Sequence, residues 1–241
     1  MSMNRPEVIF ENRQDAGRHL ALRLMEYAGQ PVVVLAVPNG GVPVALEVAS
    51  ALKVELDLIV CRKIPIPLTP EAGLGAIADD GTIMLNEELV KRLGLSKQQI
   101  DDVASKVRLE VKQRSLLYRG DRPLARVFGK IAIIIDDGLA SGYTMMAAVA
   151  SVRHRQPREI IVAVPCASAA ALKQLEKRAD RVVTVTTGYT PHFAVADFYH
   201  YWYDRKDEDV VRLLNQWRMR NFPQPKPPRK EEGREEDTGG Y

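Results

Sequence analysis

Short, β-branched apolar runs alternate along this chain with stretches of helical periodicity, and that alternation restricts the fold more than any other feature. The runs are "PVVVLAV" (31–37), "ELDLIV" (55–60), "KIAIII" (130–135), "EIIVAV" (159–164) and "RVVTVT" (181–186). Their length marks them as buried strands. Helical spacing fills residues 13–27, 40–52, 96–118, 142–155, 168–178 and about 207–219. Ser96 with Gln99 reads as a capping box for the longest of these. "GAIADDGTIML" (75–85) reads as a hairpin turning at Asp80-Gly81. Strand, helix, strand at this spacing predicts parallel βαβ units with right-handed crossovers. Near-continuous apolar strands predict a sheet covered on both faces. The expected fold class is α/β: a single doubly wound domain with a central parallel sheet flanked by helices.

Composition agrees with that reading. The 241 residues suffice for one sizeable domain, with 46% hydrophobic and 27% charged residues. A net charge of +3, from 34 basic and 31 acidic residues, gives no argument for nucleic acid. Cys61 and Cys166 lie in apolar runs and read as buried free thiols of a reducing, cytoplasmic setting. No apolar stretch approaches the ~20 residues of a membrane span. The N-terminus has no signal-peptide core. His19, His154, His192 and His200 lack metal-ligand spacing. From Asn221 onward the Pro-, Gly- and charge-rich sequence predicts a disordered tail (221–241).

Sheets of this kind bind ligands beyond the carboxyl ends of their strands. Three such segments carry chemistry: "PNGG" (38–41), "CRKIPIP" (61–67) and "DDGLASGYT" (136–144). Carboxylates accept hydrogen bonds from a vicinal diol. A Gly/Ser/Thr loop before a helix attracts phosphate. Asp136 and Asp137 followed by such a loop therefore suit a sugar phosphate, with a second anion site at Asn39, Gly40 and Gly41. Arg62 and Lys63 add two cations near the same edge. Each piece has a plainer reading: a turn, a helix start, a solvated pair. No Walker A loop or G-x-G-x-x-G fingerprint is present.

"IAIIIDDGLASGYTMMAAV" (131–149) resembles the phosphoribosyl-diphosphate motif of type I phosphoribosyltransferases. "FENRQDAGRHLALRL", "VPNGGVPVALEVASAL", "PEAGLGAIADDG", "LLYRGDRP" and "HFAVADFYHYWYD" resemble further blocks of an uncharacterised branch of that family, in order across residues 8–218. The resemblance implies transfer of 5-phosphoribosyl from phosphoribosyl diphosphate to a nitrogen base, with release of diphosphate and with Mg²⁺ bound through the substrate near Asp136 and Asp137. It implies that Asp136 and Asp137 hold the ribose hydroxyls. Gly138, Leu139, Ala140, Ser141, Gly142, Tyr143 and Thr144 would cradle the 5-phosphate. Asn39, Gly40, Gly41, Arg62 and Lys63 would face diphosphate. Residues 64–81, with Glu71 among the catalytic groups, would form a flexible flap. Residues 188–206, with Phe193, Asp197, Phe198 and Tyr199, would form a hood over the base. The expected domain spans residues 1–220, and the expected assembly is a homodimer or larger homo-oligomer. One departure stands out: the branch commonly has Arg where this chain has Asn39. That leaves open a second class of function, a regulatory protein that binds phosphoribosyl diphosphate or nucleotides without turnover.

Overall fold

The computed structural model describes residues 9–66, 69–190 and 192–221. Its centre is a five-stranded parallel sheet in the order β2-β1-β6-β7-β8. The strands are β1 (Val32–Ala36), β2 (Glu55–Leu58), β6 (Ile131–Ile135), β7 (Glu159–Ser168) and β8 (Arg181–Gly188). Helices α1 (Arg13–Arg23), α2 (Gly41–Leu52), α5 (Tyr143–His154) and α6 (Ala169–Leu175) flank it. Alternation along β1 divides the core. Val32, Val34 and Ala36 pack with Val42, Val44 and Val48 of α2. Val33, Leu35 and Val37 pack with Met145, Met146 and Val149 of α5. Each such fully buried side chain contributes about 1.5–3 kcal/mol. The α/β fold expected from the alternation is the fold observed.

A second, antiparallel sheet follows β2: β3 (Cys61–Ile66), β4 (Thr69–Ala78) and β5 (Ile83–Leu85). The expected turn at Asp80-Gly81 joins β4 to β5. Gly81 sits at φ +90°, and the Asp80 carboxylate accepts the Thr82 amide at 2.9 Å. The segment expected as a flap therefore consists largely of β3 and β4. Helix α4 (Lys97–Arg119) starts at the expected capping box of Ser96 and Gln99. A short helix before it, α3 (Glu87–Leu93), is not evident from periodicity. Its caps are the visible signal: the Asn86 side chain accepts the Leu89 amide, and Gly94 is left-handed. The described residues end in α7 (Asp207–Asn221), which reaches two residues past the helical pattern. The tail expected at 221–241 lies outside the described residues beyond Asn221. Both cysteines are buried and unbridged, as expected. Among the described residues no helix is long and apolar enough to cross a membrane.

Register sets up the site. Leu35 of β1 lies beside Ile134 of β6, so both strands end level. The loops that leave them, 37–41 and 136–142, emerge side by side.

Candidate functional site

The two loops interlock. A Cβ on Gly40 would fall 1.9 Å from Asp137 Oδ2, and one on Gly41 would fall 2.7 Å from the Ile135 carbonyl oxygen. Only glycine permits this approach. The Val37 amide donates to the Ile135 carbonyl at 2.8 Å, and the Gly41 amide to Val37 at 3.1 Å. The Pro38–Asn39 peptide bond is cis.

Asp137 does not stand free in solvent. Arg13 Nε, in the first turn of α1, pairs with its Oδ2 at 2.7 Å, and Arg13 is only 4% exposed. The same guanidinium donates through Nη1 to the Tyr203 carbonyl at 2.8 Å and lies 3.8 Å from the centre of the Trp202 ring. A cation in the first turn opposes the helix dipole, which favours anions there. That misplaced charge is the legible signal for Arg13, and reading α1 only for its apolar stripe misses it. Both carboxylates are half-buried at the strand end. Burial, and next the adjacent Asp137 charge, hold the Asp136 carboxyl well above the usual carboxylate range. Burial raises Asp137 too, opposed by Arg13. Asp136 Oδ1 accepts the Asp137 amide at 2.8 Å.

Residues Gly138 to Thr144 pass from Asp137 into α5. Leu139 is pinned to β7 from both sides: its amide donates to Cys166, and its carbonyl accepts from Ser168. Ser168 Oγ donates to the Ala140 carbonyl at 2.7 Å. Gly142, at φ +78°, starts the helix, and no side chain caps it. Ala140 and Ser141 are exposed there, with Tyr143 and Thr144 partly so. The first-turn amides of a 12-residue helix, uncapped at the end of a pinned loop, form an anion-binding terminus.

Asn39 carries a different burden from the one expected. Its Nδ2 donates to the Arg205 carbonyl and to Asp207 Oδ1, each at 2.9 Å. Its Oδ1 accepts from the Tyr118 hydroxyl at 2.8 Å. Arg114 pairs with the other Asp207 oxygen at 3.2 Å. The side chain thus ties loop 38–41 to α4 and to the start of α7.

The remaining candidates divide. Arg62 and Lys63 are consecutive on β3 and so point to opposite faces. Arg62 pairs with Glu110 of α4 at 2.6 Å, while the Lys63 stem packs against Gly73. The expectation that both cations serve one edge is corrected by that alternation. Glu71 lies in β4, and its side chain is outside the described residues. Phe198 and Tyr199 are 3% and 4% exposed and pack with Phe10, Ala16 and Cys166. Tyr199 Oη donates to the Asp137 carbonyl at 2.6 Å. These two rings support the site from beneath instead of covering a ligand. Phe193 is partly exposed, 5.1 Å from the Phe198 ring, and Asp197 is exposed. Burial pushes the Cys166 thiol up, which excludes it as a thiolate nucleophile. Among the described residues no group of three or more His, Cys, Asp or Glu side chains is placed to hold a metal. Two adjacent carboxylates, one already bound by Arg13, fit a Mg²⁺ ion carried largely by substrate oxygens and water.

Comparison with known proteins gives a consistent result. Residues 9–201 match the family model described as phosphoribosyl transferase domain. Two proteins of Mycobacterium tuberculosis, each named "Putative phosphoribosyl transferase", are 38% identical over 207 residues. Those matches cover 86% of this chain and 46% of theirs, so the chain spans about half the length of these curated relatives. Among solved structures, TT1426 from Thermus thermophilus is 35% identical with a TM-score of 0.72, covering 87% of this chain and 99% of that one.

Proposed function

The chain belongs to the phosphoribosyl transferase domain family, and from that premise we propose that it transfers 5-phosphoribosyl from phosphoribosyl diphosphate to a nitrogen base, as in nucleotide salvage, releasing diphosphate. The observation that carries the proposal is the interlock of the Asp136–Asp137 turn with the Gly40–Gly41 loop, beside the uncapped start of α5. In this reading the α5 terminus and residues 138–144 hold the 5-phosphate. Asp136 accepts a ribose hydroxyl, and Asp137, oriented by Arg13, accepts the other through its remaining oxygen. The amides of Asn39 and Gly40 receive diphosphate. Asp136 and Asp137 would hold Mg²⁺ through substrate oxygens and water, and the ion would supply positive charge toward the diphosphate leaving group. The transition state is similar to an oxocarbenium ion, so fixed carboxylates and positioning supply the catalysis. β3 and β4 would close over the site and exclude water; residues 67–68 and the Glu71 side chain of the expected flap lie outside the described residues. Phe193 and Asp197 border the base. The reaction would run in the cytoplasm, in a homo-oligomer.

The ties of Asn39 favour a second reading, a phosphoribosyl-diphosphate- or nucleotide-binding regulator, because no cation of that loop faces diphosphate. One experiment separates them. The protein is incubated with phosphoribosyl diphosphate, Mg²⁺ and each of the common bases, and released diphosphate is measured beside calorimetric binding. Transfer predicts diphosphate release with at least one base and none from Asp136→Asn. Binding without release from any base establishes the regulator. No binding of phosphoribosyl diphosphate overturns transfer, and if no nucleoside monophosphate binds either, the regulator is overturned too.

A further inference from the structure

A cavity bordered by described residues lies away from the strand-end site. It measures ≈ 690 Å³ and runs along the outer edge of β2, between the end of α2, residues 119–125 and the end of α7. β2 is an edge strand of the central sheet, so no further strand of that sheet covers this wall. Strands end and helices begin elsewhere; nothing in the phosphoribosyl reading uses this place.

Charge around the cavity is unbalanced. Its two carboxylates are already engaged. Asp57 pairs with Arg119 at 3.2 Å and accepts the Ala125 amide at 2.8 Å. Glu55 faces Lys130 at 3.4 Å. Arg119 is likewise committed, to Asp57, to Asp79 at 3.0 Å and to the Leu58 carbonyl. Three further cations line the cavity: Lys53, Arg122 and Arg218. Among the described residues no carboxylate lies within ion-pair distance of any of them. Arg122 Nε donates to the Arg119 carbonyl at 3.1 Å, and Arg218 Nη1 reaches only Asn215 at 3.4 Å. Burial, and next the charge of Arg122, push the Arg218 guanidinium down. Lys53 adds a backbone observation. It caps α2 in the left-handed region, φ +56°, where glycine is the easier residue.

Uncompensated cations converging on a concave wall ask for an anion. The volume is that of a drug-sized ligand pocket, well beyond one phosphate. Val54, Leu56, Pro123 and Ala125 supply an apolar wall on which a flat, uncharged body can rest. We propose that this cavity is a second binding site, for a nucleoside polyphosphate, with Lys53, Arg122 and Arg218 on the phosphates and the β2 edge against the base.

The site is tested by calorimetric titration of ATP, ADP, GTP and GDP into the full chain, without Mg²⁺ and at fixed low salt. Three variants accompany the wild type. Arg122→Ala with Arg218→Ala removes the cations. Lys53→Gln neutralises one cation by a substitution that leaves the packed core untouched. Ser141→Glu places a carboxylate in the loop before α5 and so blocks the other site. Circular dichroism checks each fold. The expected result is binding of at least one nucleotide that survives Ser141→Glu and weakens at least about tenfold in the double arginine variant, with a smaller loss in Lys53→Gln. Should the double variant misfold, the Lys53→Gln loss alone decides. The proposal is overturned if no nucleotide binds at millimolar concentration, if only Ser141→Glu weakens binding, or if the cation variants bind as the wild type does. Diphosphate release from phosphoribosyl diphosphate is measured separately, so failure here leaves the transfer reading untouched, and the reverse.

Discussion

Arg13 and Arg122 are both cations close to the central sheet, yet one is locked and the other open. Arg13 is buried at the strand ends, with Asp137 on one nitrogen, a backbone carbonyl on another and an indole against its face. Arg122 is exposed beside the β2 edge, holding one carbonyl with its Nε. A charge whose partner belongs to the fold stabilises the fold. A charge without such a partner is available to a ligand. The strand-end region therefore places its polar groups by pairing them with one another, and its ligand donors are mostly backbone. The β2 edge locks Arg119 in the same way but leaves Lys53, Arg122 and Arg218 without a carboxylate among the described residues.

The comparison breaks first at Asp137. Asp137→Asn leaves a buried guanidinium without its anion, and losing one partner of a buried pair costs about 3 kcal/mol or more. Urea unfolding is expected to show that loss. Arg13→Met added to Asp137→Asn is expected to recover part of it. A neutral Asp137→Asn would mean that the pair contributes nothing, and that the strand ends are no more locked than the β2 edge.

Asn39→Arg is next. As a bare restoration of charge it would tighten phosphoribosyl diphosphate. The structure predicts otherwise, because the substitution strips partners from Tyr118, Asp207 and the Arg205 carbonyl. Tyr118 Oη keeps its bond to Asp207 Oδ1 at 2.8 Å, but the Arg205 carbonyl loses its partner, and an unpaired polar group away from water costs about 1–3 kcal/mol. The expected outcome is a protein destabilised by about 2 kcal/mol, with no gain in affinity for phosphoribosyl diphosphate over a nucleoside monophosphate. A stable variant with a selective gain would show that position 39 is open to the ligand after all.

These two positions show what the sequence makes legible. The βαβ alternation, the apolar runs of the strands, the Asp80-Gly81 turn and the α4 capping box depend on neighbours a few residues apart, and they could be read. So could the Asp136–Asp137 turn and the loop before α5. What joins Arg13 to Asp137, Tyr118 to Asn39, or Trp202 to Arg13 depends on residues brought together from distant parts of the chain. Nothing local encodes such pairs. Phe198 and Tyr199 were misjudged for the same reason: an aromatic residue in a loop can lie over a ligand or under one, and only packing decides. Arg62 and Lys63 failed differently, since the period of a strand was available and separates them.

Asp136→Asn sharpens the comparison from the other side, because at the strand end a ligand-facing charge is held at a cost to stability. The folded-state pKa of Asp136 is raised, by burial and then by Asp137. Folding therefore favours protonation of this group relative to the unfolded chain. Stability from this group is fully present below the ordinary carboxylate pKa and is lost as pH rises through the raised value. Asparagine mimics the protonated form. The variant should exceed the wild type in stability at neutral pH, because asparagine carries no charge to desolvate beside Asp137. The advantage should vanish in acid. It should also lose binding of ribose 5-phosphate compounds. Thermal unfolding at pH 4 and pH 7.5 checks the first part, and calorimetry the second; equal differences at both pH values would refute the cause.

Lys53→Gly gives the smallest effect and the same exchange at the β2 edge. In the left-handed region a non-glycine residue costs roughly 1–2 kcal/mol, and the α2 cap there places Lys53 at φ +56°. Glycine removes that strain but loses about 0.5–1 kcal/mol through its freer unfolded chain. The net expectation is a gain of about 0.5 kcal/mol, readable as a small rise in the urea midpoint with unchanged slope. The Lys53 amide already donates to the Ala49 and Ser50 carbonyls, and glycine keeps that bond, so the helix end itself should not change. What disappears is one of three unpaired cations on the cavity. If the cavity binds nucleoside polyphosphates, the variant gains stability and loses affinity for them together, and the loss shrinks as salt rises. A gain in stability with no change in affinity would leave Lys53 as an ordinary strained cap, and the contrast between the two regions would then rest on the arginines alone.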